Sequence, residues 1–204
     1  MMDMQSVPTR GEMAAVADQL EGFRVTNLLA PNSEYFIEII GAQRSGEGCL
    51  PNELGLAAED FSTLVDRHFP GIRNFPPPTQ EACEKGDLRQ QLLEMRREEW
   101  QDIRDLLLQH RRGADRSEIW MAEIVSAGCL GNNHLWRDLG LPSRESLRRL
   151  MAENFPELEV RNDRDMRWKK FLYKQLCEQE GHYLCRSPSC DTCPTYEECF
   201  GDES

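Results

Sequence analysis

A chain of 204 residues, 39% hydrophobic and 29% charged, is composed like one soluble folded domain and is too short for two large ones. A formal net charge of −12 argues against general nucleic-acid binding, which needs a basic surface to neutralise phosphates. No apolar run approaches the length of a membrane-spanning helix, and residues 1–15 lack the basic head and apolar stretch of a secretory signal, so the expected location is the cytoplasm.

Residues 1–20 are polar and Met-rich, and they are expected to fray. Tyr35, Phe36, Ile37, Ile39 and Ile40 form an apolar run too short for periodicity to separate helix from strand. Over 56–69, Phe61, Leu64, Val65 and His68 or Phe69 recur at helical steps until Pro70 and Gly71. Pro76, Pro77 and Pro78 make a stiff break, after which Thr79 is suited to cap a helix. Residues 79–110 read as a single long amphipathic helix with Leu88, Leu92, Met95, Trp100, Ile103, Leu106 and Leu107 on its apolar face, interrupted at most by Gly86.

Ser117 is placed to cap the next helix, carrying Ile119, Trp120, Ile124, Val125 and Ala127 as far as Gly128 and Gly131. Ser143 is placed to cap another, with Leu147, Leu150 and Met151, up to Pro156. Asn162 reads as the cap of the last helix, with Asp163 and Asp165 in its first turn and Lys169, Lys170 and Lys174 beyond, an order that complements the helix dipole. Trp168, Leu172 and Leu176 share its stripe, with Phe171 beside it. Gly181 is expected to end it, leaving loop to the end. Gly48-Cys49-Leu50, Leu54-Gly55-Leu56 and Phe69-Pro70 echo Gly128-Cys129-Leu130, Leu139-Gly140-Leu141 and Phe155-Pro156; shared helix punctuation is the simpler explanation, an old duplication the other. The class is all-α: a small helical bundle packed around Trp120, Trp136 and Trp168, with an irregular cysteine-rich C-terminal loop. It divides into a partly flexible segment (1–50), a helical domain (51–181) and a metal-binding tail (182–204).

Eight cysteines in a reducing compartment suggest ligands or buried thiols rather than disulfides. Cys49, Cys83 and Cys129 are scattered, whereas Cys185, Cys190, Cys193 and Cys199 follow the spacing C-x4-C-x2-C-x5-C. Four thiolates so close can converge if the backbone wraps a shared centre, with Pro188 and Pro194 setting bends and Ser187, Ser189 and Thr192 allowing tight turns. Thiolate selects zinc, copper(I) or iron–sulfur centres. Structural zinc usually pairs two C-x2-C knuckles, and only one is present here. The C-x4-C-x2-C portion is spaced as in plant-type iron–sulfur proteins. Asp191, Glu197 and Glu198 among the thiolates would repel a free oxyanion but tolerate a centre whose metals carry positive charge. A structural zinc tail on an interaction protein, an ordinary redox cluster and a tail of disulfides remain the other readings.

Cys177 and His182 are candidate extra ligands, against the plainer readings of a buried thiol and a solvent-facing imidazole. His134 could ligate metal, although a histidine among apolar neighbours is more often a packing residue, and the same holds for Trp136 and Asp138. Arg161, Arg164, Arg167, Lys169, Lys170 and Lys174 form a basic stretch upstream of the thiolates, either a solvated face or a means of steering an oxyanion or an acidic partner. No nucleophile elbow or phosphate-cradling glycine loop is present.

Residues 133–141 (Asn133-His134-Leu135-Trp136-Arg137-Asp138-Leu139-Gly140-Leu141), 166–173 (Met166-Arg167-Trp168-Lys169-Lys170-Phe171-Leu172-Tyr173) and the closing stretch 185–200 resemble three ordered blocks of the nitrogen-fixation protein NifQ family. The resemblance covers roughly residues 115–200; before residue 50 there is no clear match. It implies a carrier, not an enzyme, that holds a molybdenum-containing iron–sulfur cluster and supplies molybdenum for the iron–molybdenum cofactor of nitrogenase. The implied partners are the nitrogenase iron protein, the cofactor scaffold protein and a molybdenum source; charge and hydropathy argue against nucleic acid and membrane. The family's cysteine motif falls on Cys185, Cys190, Cys193 and Cys199 without departure.

Overall fold

The computed structural model describes residues 30–69, 79–179 and 196–201, and within them the chain is helical with no strand. The elements are α1 (Ser33–Ser45), α2 (Ala58–His68), α3 (Gln80–Met95), α4 (Arg97–Gln109), α5 (Ser117–Cys129), α6 (Leu135–Leu139), α7 (Arg144–Asn154), α8 (Pro156–Arg161), α9 (Trp168–Gln179) and α10 (Tyr196–Phe200). The all-α expectation holds. The proline break at 70–78, Gly181, His182, Pro188 and Pro194 lie outside the described residues.

α5 is the axis of the molecule. Trp120, Met121, Ala122, Ile124, Val125, Ala127 and Cys129 are all buried, so the helix is covered on nearly every side rather than along one stripe. α4 packs along it through Trp100, Ile103, Leu106 and Leu107, and the Trp100 indole N–H donates to the Glu123 carbonyl at 3.2 Å. The ambiguous run at Tyr35–Ile40 is the buried face of α1, in the same core as the residues of α4 to α9. The hydrophobic core therefore starts well before residue 51. Trp120 and Trp168 are core residues as expected, while Trp136 is only half-buried, with the Arg137 guanidinium over its ring.

Two expected caps are formed: the Thr79 hydroxyl accepts from Ala82 N–H and the Ser143 hydroxyl from Ser146 N–H, both at 3.1 Å. Two others differ. Ser117 does not cap α5; its own N–H goes to the Asp115 carboxylate, and Glu118 reaches back to accept from the N–H groups of Gly113, Ala114 and Asp115 at 2.6, 2.8 and 3.0 Å. Asn162 does not cap the last helix, which begins at Trp168; its amide instead braces a buried turn, donating to the Met166 carbonyl and accepting from Met166 N–H. The intervening α8 was not foreseen. Nor was α10, since the tail was expected to be loop throughout.

The predicted helix over 79–110 is two helices that break at Arg96 (φ −113°, ψ 31°). No glycine or proline marks the break. Arg96 makes a fork on Glu99 (2.7 and 2.6 Å) and donates to the Leu130 carbonyl, so a tertiary contact holds it out of the helix. Past the break the apolar face changes direction, and Leu88 and Met95, expected inside, are 63% and 84% exposed. Gly86 does not interrupt α3. It admits the Asn52 side chain, which a Cβ there would meet at 2.1 Å.

The sequence echo has a structural counterpart. α1 and α5 each have 13 residues, α2 and α7 each have 11, and both of the latter end in a buried phenylalanine (Phe69, Phe155) donating to the carbonyl four residues back. Gly55 and Gly140 between them both have positive φ, 88° and 76°. Matched lengths are not distinctive, since α4 also has 13 residues, and shared helix punctuation remains the simpler explanation. The two Gly-Cys-Leu segments do not correspond: Cys129 ends α5, whereas Cys49 lies in the loop beyond α1.

Candidate metal centre

Of the four tail cysteines, Cys199 lies in the described structure, and Cys185, Cys190 and Cys193 fall outside it, as does His182. Cys199 sits on α10, half-buried, and packs with Phe200 against the core. The segment is tied to the residue preceding α9: Arg167 N–H donates to the Cys199 carbonyl at 2.8 Å, and the Arg167 guanidinium to the Gly201 carbonyl at 3.3 Å. The Tyr196 and Phe200 rings stack at 4.5 Å, and the Arg164 guanidinium lies over Phe200. The last cysteine of the motif thus has a fixed footing at the start of the basic helix.

The other thiols are of a different kind. Burial pushes the Cys129 thiol up to about 12, which keeps it protonated and inert. Burial, then the neighbouring Asp138 carboxylate, raises Cys49. Cys177 is half-buried on α9. Among the described residues no three His, Cys, Asp or Glu side chains are grouped to hold a metal ion. Cys49, Cys129 and Cys177 therefore form no metal site with one another, and His134 is the residue preceding α6, on the wall of an open cleft.

The basic stretch divides by role. Lys169 reaches into the protein and pairs with the Asp138 carboxylate, also donating to the Gly131 carbonyl at 2.8 Å. Asp138 is 1% exposed and also accepts from Asn133 N–H at 3.0 Å, while its backbone carbonyl accepts from Cys49 N–H at 2.8 Å. The buried carboxylate thereby fastens the loop before α6 to the first turn of α9, and the backbone carbonyl of the same residue holds the loop after α1. Composition could not identify this pair, because its members are separated in sequence and each alone resembles an ordinary surface charge. Arg161 and Lys174 pair with Glu157 and Glu178 on their own helices, at 3.9 and 3.6 Å, and are solvated charges. Arg164 and Arg167 hold the tail helix as described. A further network joins α4 to α9: the Tyr173 hydroxyl donates to Glu99, which is itself gripped by Arg96. Burial, followed by that carboxylate, raises the Tyr173 phenol.

No described helix is long and apolar enough to cross a membrane. Comparison with known proteins bears directly on identity. The NifQ family model matches residues 35–201. The chain is 53% identical to Protein NifQ of Azotobacter vinelandii over 174 residues, which is 84% of this chain and 89% of that one. It is 38% identical to the Protein NifQ homolog of Sinorhizobium fredii over 77% of this chain and 64% of the relative. It is 39% identical to Protein NifQ of Klebsiella pneumoniae over 76% and 90%. No solved structure matches the chain. The family match begins at Tyr35, the first core residue among those described, and takes in all four tail cysteines. The chain belongs to the NifQ family.

Proposed function

We propose that this protein is a carrier in nitrogen fixation that holds a molybdenum-containing iron–sulfur cluster on Cys185, Cys190, Cys193 and Cys199 and supplies molybdenum for assembly of the nitrogenase iron–molybdenum cofactor. The observation that carries the reading is the C-x4-C-x2-C-x5-C motif lying wholly inside the matched family region, with Cys199 anchored to the folded core. Soft thiolates suit such a cargo, and three ligands on a segment linked to the core at Cys199 suit ligand exchange on handover. The receiving partners are the nitrogenase iron protein and the cofactor scaffold protein. The work is binding and transfer rather than catalysis, and the expected setting is the cytoplasm.

Metal analysis of protein purified without air tests this. Iron and molybdenum with a brown visible spectrum are expected in the wild type and are lost in Cys190→Ser and Cys193→Ser. Colourless protein containing zinc would instead establish a structural tail. Undiminished molybdenum transfer by the cysteine variants would refute the ligand assignment.

A further inference from the structure

The structure has a second feature suited to a ligand, separate from the cysteines. We infer that the cleft between the loop preceding α6 and the first turn of α9 is a binding site for a small tetrahedral oxyanion. The cleft has a volume of about 350 Å³ and is lined by Arg137, Arg167, Lys169 and Lys170, with Asn132 and Asn133 on the opposing loop. Four cations meet there in a chain whose formal net charge is −12, and among the described residues no carboxylate lines the cavity.

Lys169 is committed to the buried Asp138 carboxylate, which neutralises one of the four. The Arg137 guanidinium lies over the Trp136 ring, 4.9 Å from its centroid, a cation–π contact that holds it without neutralising it. Lys170 is exposed, and neither it nor Arg137 pairs with a carboxylate among the described residues. Like charges facing one cavity repel, and a dianion between them turns that repulsion into attraction. Guanidinium forks match oxyanion edges, an ammonium supplies a point charge, and asparagine amides add neutral donors. At about 30 Å³ per water the cavity accommodates an anion with several waters, and its concavity favours a small ion over an acidic protein face. Arg167 belongs both to this wall and to the footing of Cys199, so an anion held here lies next to the tail helix.

Molybdate, phosphate and sulfate share this chemistry. The molybdate case alone rests on the carrier function proposed above; the site itself does not. The full chain is titrated calorimetrically at low ionic strength with each of the three sodium salts. Arg137→Ala/Lys170→Ala is compared with Lys85→Ala/Arg111→Ala, which removes the same charge from exposed positions elsewhere. Saturable one-site binding of at least one anion is expected, weakened tenfold or more by the first pair and less than twofold by the second. The tightest anion identifies the physiological class. Binding of none, or equal weakening by both pairs, overturns the site. Cys185→Ser/Cys190→Ser/Cys193→Ser separates the two proposals: it is expected to bind the anion normally while losing the cluster. Anion binding by a wild type that never takes up iron and molybdenum would sink the carrier reading and leave this site standing. Cluster uptake without anion binding would do the reverse.

Discussion

Asp138 shows how one residue can tie two loops to a helix turn. Its carboxylate is buried, balanced by Lys169, and hydrogen-bonded to Asn133 N–H. Removing one partner of a buried pair strands the other charge, at a cost of about 3–5 kcal/mol, whereas an exposed pair is worth about 1 kcal/mol or less. Asp138→Ala is therefore expected to lower stability in urea unfolding by roughly 3 kcal/mol. Arg148→Ala, which breaks the Arg148–Glu159 pair at 3.1 Å, should cost under about 1 kcal/mol. Equal losses would show that Asp138 is not ion-paired in solution. His68 supplies a pH dependence. Its Nδ1 lies 2.8 Å from the Ser33 hydroxyl, and the rings of Phe36 and Trp120 stand edge-on against it at 4.8 and 5.9 Å. Burial, then the charge of Arg67, holds its pKa down from 6.5 to about 4, with Asp115 opposing. The unfolded chain takes up the proton near 6.5 and the native protein resists until about 4, so the contribution is complete above 6.5 and is lost on acidification through that window. Between pH 7 and 5 the loss is about 2 kcal/mol. His68→Gln should show a shallower fall in urea stability over that range; an unchanged slope would mean that His68 titrates normally in the fold.

At the scale of elements, helix starts decide where the chain turns. Glu118 satisfies three backbone N–H groups preceding α5, more than a serine cap can reach. Glu118→Ala leaves these donors without their acceptor and is expected to cost about 2–3 kcal/mol, against about 1 kcal/mol for Ser143→Ala at the start of α7. Urea midpoints at matched m-values compare them, and a smaller effect at Glu118 would contradict this assignment of the start of α5. Gly140 ends α6 with φ 76°, and a Cβ there would lie 2.0 Å from that of Ala42 on α1. Gly140→Ala combines a disfavoured backbone conformation with overpacking between two helices and should destabilise by about 2 kcal/mol or more. The caps at Thr79 and Ser143 were legible because a cap is local, a side chain and an N–H three residues apart. Arg96 was not, because its break depends on Glu99 together with Leu130, thirty-four residues on.

For the whole molecule, the core of the described residues runs from α1 to α9, with Cys199 and Phe200 packed against it from α10. Metal binding is folding energy only where the metal supplies the core. Exhaustive chelation is therefore expected to leave the far-ultraviolet circular dichroism and the main cooperative urea transition in place; loss of cooperativity would show that the cargo organises the fold as well. The molecule joins two regions of different character, a helical body whose thiols are buried or half-buried and a cysteine-rich tail attached to it at Cys199 and Arg167.

Helical class and the positions of α2, α5 and α7 were determined by the sequence alone, because periodicity and caps act over a few residues. The exposed face of α3, the pairing of Asp138 with Lys169 and the seating of the last cysteine at the foot of α9 were decided only by tertiary structure. Each depends on groups far apart in sequence meeting in a low-dielectric interior or across a packed helix, where position rather than residue type sets the energy.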